Sequence, residues 1–121
     1  MIWSLAAAIL AVIVAVAHSV ISERAILVPL FRQPALGVLE TPAMRRITRA
    51  VFHMPSVAWA ALGVGVAVNR AQGGPDLIAL IAIVVFACSA IGNLTALRRP
   101  HPGGLLLLIA TAATAADILL N

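Results

Sequence analysis

Four long apolar runs constrain this chain more than any other feature. They cover residues 2–21, 50–68, 77–97 and 105–120, of which the last is the shortest. About 20 residues of α-helix cross the roughly 30 Å hydrocarbon core of a bilayer. Hydrophobic residues make up 63% of the chain, whereas they make up about half of a soluble domain. We therefore expect an all-α integral membrane bundle of four transmembrane helices with short loops.

The connections between the runs are too short to hold a second domain. We therefore expect residues 1–121 to form a single membrane domain. The first residues lack the basic start of a signal peptide, so we expect the first run to be retained as a span. Residues 33–40 have the composition of a loop. Thr41 followed by Pro42 predicts a helix start, with threonine as the N-cap and proline at the first helical position.

Two prolines modify this outline. Pro29 interrupts the apolar residues 25–32, which are too few to span a bilayer and are expected either to lie in the interface or to continue the first helix. Pro55 lies inside the second span, where the missing backbone donor predicts a kink near His53.

The charges predict an orientation. All eight cations are arginines, set against four carboxylates. Seven of them lie in the first and third connections, which are on the same side of the membrane. By the positive-inside rule that side is cytoplasmic, and both termini are periplasmic. We expect a multi-pass protein of the bacterial cytoplasmic (inner) membrane, with the lipid bilayer and its anionic head groups as partners. Nucleic acid is not an expected partner, because the arginines lie beside apolar runs and do not form a basic face with aromatic platforms for base stacking.

Polar side chains gather at the predicted cytoplasmic ends of the spans. Adjacent antiparallel helices would bring the histidines of the first two spans to a similar depth. A charged residue at the membrane centre costs about 2.5–3.5 kcal/mol, so we expect Glu23 to pair with Arg49. The candidate polar or ligand site consists of His18, Ser19, Ser22, Glu23, Arg24, Arg49, His53, Ser56 and Asn93.

Three interpretations of this cluster stay open. It is an interfacial belt in which histidines and serines link helices, or a ligand site, or part of a transport path beside Pro55. As a ligand site it would hold haem b between His18 and His53, or a metal ion bound by these histidines with His101 or Glu23. No H-x-x-x-H, E-x-x-H or paired-cysteine spacing supports a metal, and the single cysteine, Cys88, excludes an intrachain disulfide.

Small residues recur at four-residue spacing on three of the spans. The patterns Ala61-x-x-x-Gly65, Cys88-x-x-x-Gly92-x-x-x-Ala96 and Ala112-x-x-x-Ala116 permit close approach of helix backbones. We interpret them first as contacts within the chain. We also expect that the chain can form a homo-oligomer or join a larger membrane complex, because four helices leave wide lipid-facing surfaces.

Two segments carry a resemblance. Residues 17–33 (AHSVISERAILVPLFRQ) and 45–63 (RRITRAVFHMPSVAWAALG) resemble a group of small four-span bacterial membrane proteins with an A-H-S-x-x-x-E-R-x-I-L-x-P-L element. The resemblance implies membrane placement and draws attention to His18, Glu23, Arg24 and His53, and it brings no activity. No nucleophile elbow or phosphate-binding glycine loop is present. The sequence therefore predicts a non-enzymatic binding, accessory or assembly protein, with a haem or metal protein and a small proton or solute transporter as alternatives.

Overall fold

The computed structural model describes residues 1–34 and 37–120, and these residues form a bundle of helices. The predicted fold class is confirmed, because four helical stretches are long and apolar enough to cross a membrane: Ile2–Arg32, Pro42–Ala71, Leu77–Leu97 and Pro102–Leu120. We label the α-helices α1 (Ile2–Ile21), α2 (Val28–Arg32), α3 (Pro42–Ala71), α4 (Leu77–Leu97) and α5 (Pro102–Leu120).

The first helical stretch extends well beyond the first apolar run. A π-helical segment, Ser22–Leu27, joins α1 to α2, so residues 25–32 continue the helix, which is one of the two expectations for them. The π-helical turn lies directly before Pro29, which has no backbone N–H to donate to the preceding turn. Isolated π-helical turns inside α-helices often accompany functional sites.

The start of α3 follows from its sequence. Thr41 is the N-cap, and its Oγ1 accepts a hydrogen bond from the backbone N–H of Met44 at 3.3 Å. Pro42 occupies the first helical position, as predicted. The helix then continues without interruption across Pro55. The loop predicted for residues 33–40 lies partly outside the described residues, since positions 35 and 36 are not among them, and Gly37–Glu40 forms a short 3₁₀ turn.

The helices pack in a ring in which α1 lies between α3 and α5, and α4 lies against α5. The ring is least closely packed between α3 and α4. The core that fills it holds Phe86 of α4, Leu107 of α5 and Trp59 of α3. This uneven packing leaves room for a cleft on one side of the bundle.

Helices α1 and α3 approach each other closely at Gly63. A Cβ atom added at Gly63 would lie 2.6 Å from Ala11 Cβ and 3.2 Å from Ala8 Cα. The small-residue pattern on α3 was therefore assigned to the wrong residues. Ala61 is exposed, and a Cβ at Gly65 would make an ordinary 3.7 Å contact with Ile78. Only the absence of a side chain at Gly63 lets α1 and α3 come this close.

A polar network closes the end of the bundle where the chain terminates. Asp117 of α5 is completely buried. Its Oδ2 accepts a hydrogen bond from Arg70 Nε at 2.6 Å, and its Oδ1 accepts one from the backbone N–H of Ser4 at 3.1 Å. Arg70 Nη2 also donates to Asp76 at 2.9 Å. One carboxylate thus ties together α1, α3 and α5.

Candidate functional site

Two reciprocal histidine–serine pairs join α1 to α3 at the other end of the bundle. His18 Nδ1 of α1 shares a hydrogen bond with Ser56 Oγ of α3 at 3.1 Å. His53 Nδ1 of α3 shares one with Ser19 Oγ of α1 at 3.0 Å. Each helix therefore contributes one imidazole and one hydroxyl. The close, antiparallel packing of α1 on α3 sets both histidines at one level.

Glu23 extends this arrangement toward the membrane surface. Its Oε1 lies 3.0 Å from Arg49 Nη2, and its Oε2 lies 3.3 Å from His53 Nε2. The sequence predicted a Glu23–Arg49 pair between these helices, and the structure places the two side chains together. The Glu23 carboxylate therefore contacts both Arg49 and His53 of α3.

A second chain of polar contacts leads from His18 to α4. The His18 and Trp59 rings meet edge to face, with centroids 5.1 Å apart and an interplanar angle of 78°. Trp59 Nε1 donates to Ser89 Oγ of α4 at 2.9 Å. Asn93 Nδ2 donates to the Ser89 carbonyl oxygen, also at 2.9 Å. Sequence reasoning missed Trp59 and Ser89, although Trp59 follows Ser56 by three residues and so shares its helix face.

A cavity of about 150 Å³ opens beside His18, inside the bundle. It lies mainly between α1 and the start of α5, is partly open at the exposed residues Ala17 and Ile21, and has mostly apolar walls. The polar side chains among them are those of His18, Trp59, Asn93 and His101. The complete lining consists of Val14, Ala17, His18, Ile21, Trp59, Asn93, His101, Pro102, Gly103, Leu106 and Leu107.

A wider cleft of about 350 Å³ lies on the surface between α3 and α4. It occupies the loosely packed side of the ring. His18, Trp59 and Asn93 line both the cleft and the cavity, so these three side chains form the partition between them. The remaining lining of the cleft is Pro55, Ser89, Gly92, Ala96 and Leu97.

His101 has a structural role that the sequence did not predict. Its Nδ1 accepts a hydrogen bond from the backbone N–H of Gly103 at 3.2 Å, which caps the start of α5. A neutral imidazole that accepts at Nδ1 carries its proton on Nε2. His101 is also one of the residues that line the cavity.

The other predicted site residues are placed less centrally. Ser22 is buried in the π-helical segment, and Arg24 is exposed. The guanidinium of Arg49 also lies over the Phe31 ring, 5.4 Å from its centroid, and Arg45 lies over the same ring at 5.7 Å. These cation–π contacts fix the end of the first helical stretch against the start of α3.

The predicted metal set is not assembled. Within residues 1–34 and 37–120, no group of three or more His, Cys, Asp or Glu side chains is arranged to hold a metal ion. His101 caps α5 instead of joining His18 and His53. Haem fits poorly as well, because both ring nitrogens of His53 are engaged, one by Ser19 and one by Glu23. An axial bond to iron would require the loss of one of these contacts.

The order Ser19–His53–Glu23 has the chemical types of a hydrolytic triad, but the surroundings do not support one. Ser19 lies within the helical turn that ends α1, where backbone N–H groups are used in helical hydrogen bonds. A triad needs free donors that stabilise the oxyanion of the tetrahedral intermediate. The helix around Ser19 supplies none, so the arrangement orients side chains without providing for acyl transfer.

Comparison of the chain with models of protein families, with curated proteins and with solved structures gave no match. Functional conclusions therefore depend on the geometry of the site itself.

Proposed function

We propose that the protein is a non-enzymatic ligand-binding protein of the bacterial inner membrane. The observation that carries this proposal is the concave, partly open cavity beside His18. Ligand sites are typically concave and mostly apolar, with a few polar groups that orient the ligand. The cavity has this composition, with His18, Asn93 and His101 as its orienting groups.

The position of the cavity favours the cytoplasmic face. It lies toward the C-terminal ends of α1 and α4, the same end of the bundle as seven of the eight arginines. The positive-inside rule places that end in the cytoplasm and both termini in the periplasm. The exposed arginines at that end, including Arg24, Arg32 and Arg46, suit contact with anionic lipid head groups.

The orientation has a direct test. A C-terminal alkaline phosphatase fusion should be active and a C-terminal green fluorescent protein fusion dark, since both reporters would be periplasmic. An inactive phosphatase fusion together with a fluorescent protein fusion that fluoresces would place the cavity at the periplasmic face. A homo-oligomer or a larger complex stays a prediction, to be tested by the mass of the purified protein in detergent.

Ligand binding can be tested by filling the cavity. Val14 is buried and lines it, whereas Val12 on the same helix is 36% exposed and does not. Native mass spectrometry of protein released from mild detergent should show a bound small molecule on the wild type and on Val12→Phe. We expect its occupancy to fall several-fold in Val14→Phe, provided that far-UV circular dichroism shows an intact fold. Equal occupancy in both variants, or no bound molecule on the wild type, would contradict the proposal.

A further inference from the structure

The dimensions of the cavity limit what it can hold. Its volume is about 150 Å³, and a protein cavity of about this size accommodates one benzene molecule. A fused two-ring system or a folded acyl chain would therefore need the walls to move. The size selects a molecule, or part of a molecule, with a single six-membered ring.

The lining also limits the charge of the ligand. No carboxylate or guanidinium lies among the residues that line the cavity. An ion bound there would be removed from water without a countercharge, which is costly. The lining therefore favours an uncharged ligand.

The polar and aromatic groups that line the cavity indicate which substituents the ring of the ligand carries. His101 and Asn93 both line the cavity, and each side chain has a hydrogen-bond donor besides the contact that it makes with Gly103 or Ser89. His18 and Trp59 both line the cavity, and aromatic side chains favour stacked or edge-to-face contacts with another ring. Donors from α4 and from the loop before α5 suit ring oxygens that accept hydrogen bonds.

The cleft between α3 and α4 provides an approach from the lipid. It lies on the outer surface of the bundle, and His18, Trp59 and Asn93 line both the cleft and the cavity. A Cβ added at Gly92 would meet no atom within 4 Å, so the centre of the cleft is open. A hydrophobic tail could lie in this cleft while the ring occupies the cavity.

From these observations we infer that the ligand is an uncharged, membrane-soluble molecule with a single-ring quinone or quinol head, which enters sideways from the bilayer through the cleft between α3 and α4. This inference rests on the proposed binding function. It names the chemistry of the ligand and its route.

Trp59 provides a reporter for the test. The chain has two tryptophans, and Trp3→Phe leaves Trp59, at the cavity, as the single fluorophore. We would titrate this variant in nanodiscs of uncharged lipid with a benzoquinone that carries a ten-carbon alkyl chain. Saturable quenching of Trp59 is expected, because quinones quench tryptophan at short range. Quenching that rises linearly with the quinone content of the bilayer would overturn the inference.

Two comparisons test the ring. A naphthoquinone with the same alkyl chain should bind about tenfold more weakly, since overfilling a packed site costs about 1–3 kcal/mol. Decanol, which has the chain without the ring, should not displace the benzoquinone. If decanol displaces it, or if the two quinones bind equally, the ring assignment is wrong although the cavity still binds ligands. If neither quinone nor decanol binds and the Val14→Phe comparison is also negative, the proposed function itself fails.

Two variants test the contacts and the route. His101→Ser keeps a hydroxyl that can cap α5 but is too short to reach a ligand, and should weaken quinone binding about three- to tenfold through the lost hydrogen bond.

Gly92→Leu would occupy the open cleft and should slow association several-fold in stopped-flow measurements. Cys88→Leu is its control, because Cys88 is exposed on the same helix and does not line the cleft. Unchanged affinity in His101→Ser, or equal association rates in Gly92→Leu and Cys88→Leu, would count against the inference.

Discussion

Gly63→Ala should destabilise the protein because it separates α1 from α3. The added Cβ would lie 2.6 Å from Ala11 Cβ, whereas ordinary contacts of this kind are 3.4–4 Å. The second obstacle, Ala8 Cα at 3.2 Å, is a backbone atom. Neither can rotate away, so the helices themselves must shift by close to 1 Å. Overpacking of this kind costs about 1–3 kcal/mol.

Gly65→Ala is the matched control for this substitution. It lies on the same helix, and its Cβ would make an ordinary 3.7 Å contact with Ile78. Both changes replace a helical glycine with alanine, which favours the helix by about 1 kcal/mol in each case. That gain cancels in the comparison. We therefore expect Gly63→Ala to be less stable than Gly65→Ala by about 1–3 kcal/mol.

The measurement is reversible unfolding by sodium dodecyl sulfate from a mild detergent, followed by far-UV circular dichroism. Ala11→Gly removes the atom that the new methyl group meets, so the double variant Ala11→Gly/Gly63→Ala should recover part of the loss. Equal stability of Gly63→Ala and Gly65→Ala would refute the close packing of α1 on α3. It would also remove the physical basis for the two histidine–serine pairs.

Further predictions concern the polar contacts at the two ends of the helix bundle. Asp117→Asn should lower the midpoint of thermal unfolding by several degrees, because it leaves the Arg70 guanidinium without its buried counterion. Asp76→Asn should change this midpoint little, since Asp76 is 47% exposed. Equal effects of the two substitutions would contradict the assigned network. A double-mutant cycle of Ser19→Ala and His53→Leu should give a coupling energy near 0.6 kcal/mol, about the average for hydrogen bonds between membrane helices. A coupling energy of zero would show that the Ser19–His53 contact does not stabilise the bundle.

Hydropathy and charge were sufficient to predict the four helices. The apolar runs have no comparably stable alternative in a bilayer, where every backbone polar group must be satisfied internally. The polar residues near Glu23 were also found from sequence, because helical spacing and antiparallel neighbours restrict which side chains can meet. Even the Glu23–Arg49 pair followed from the cost of isolated charges in the membrane.

The cavity could not be predicted in the same way. It lies where residues of α1 and of the start of α5 meet Trp59 and Asn93, and hydropathy does not determine how these side chains pack. The role of His101 depends on the exact first turn of α5, which hydropathy does not locate. The sequence indicates the Arg70–Asp117 pair only weakly, through opposite charges near the same predicted membrane face.

The most direct test of the binding proposal is a crystal structure, from a lipidic phase, of the protein purified from its native membrane. The account predicts ring-sized density in the cavity, within hydrogen-bonding distance of Asn93 or His101 and in contact with Trp59. A cavity that is filled by its own side chains, or that holds only water between His18 and Leu107, would contradict it.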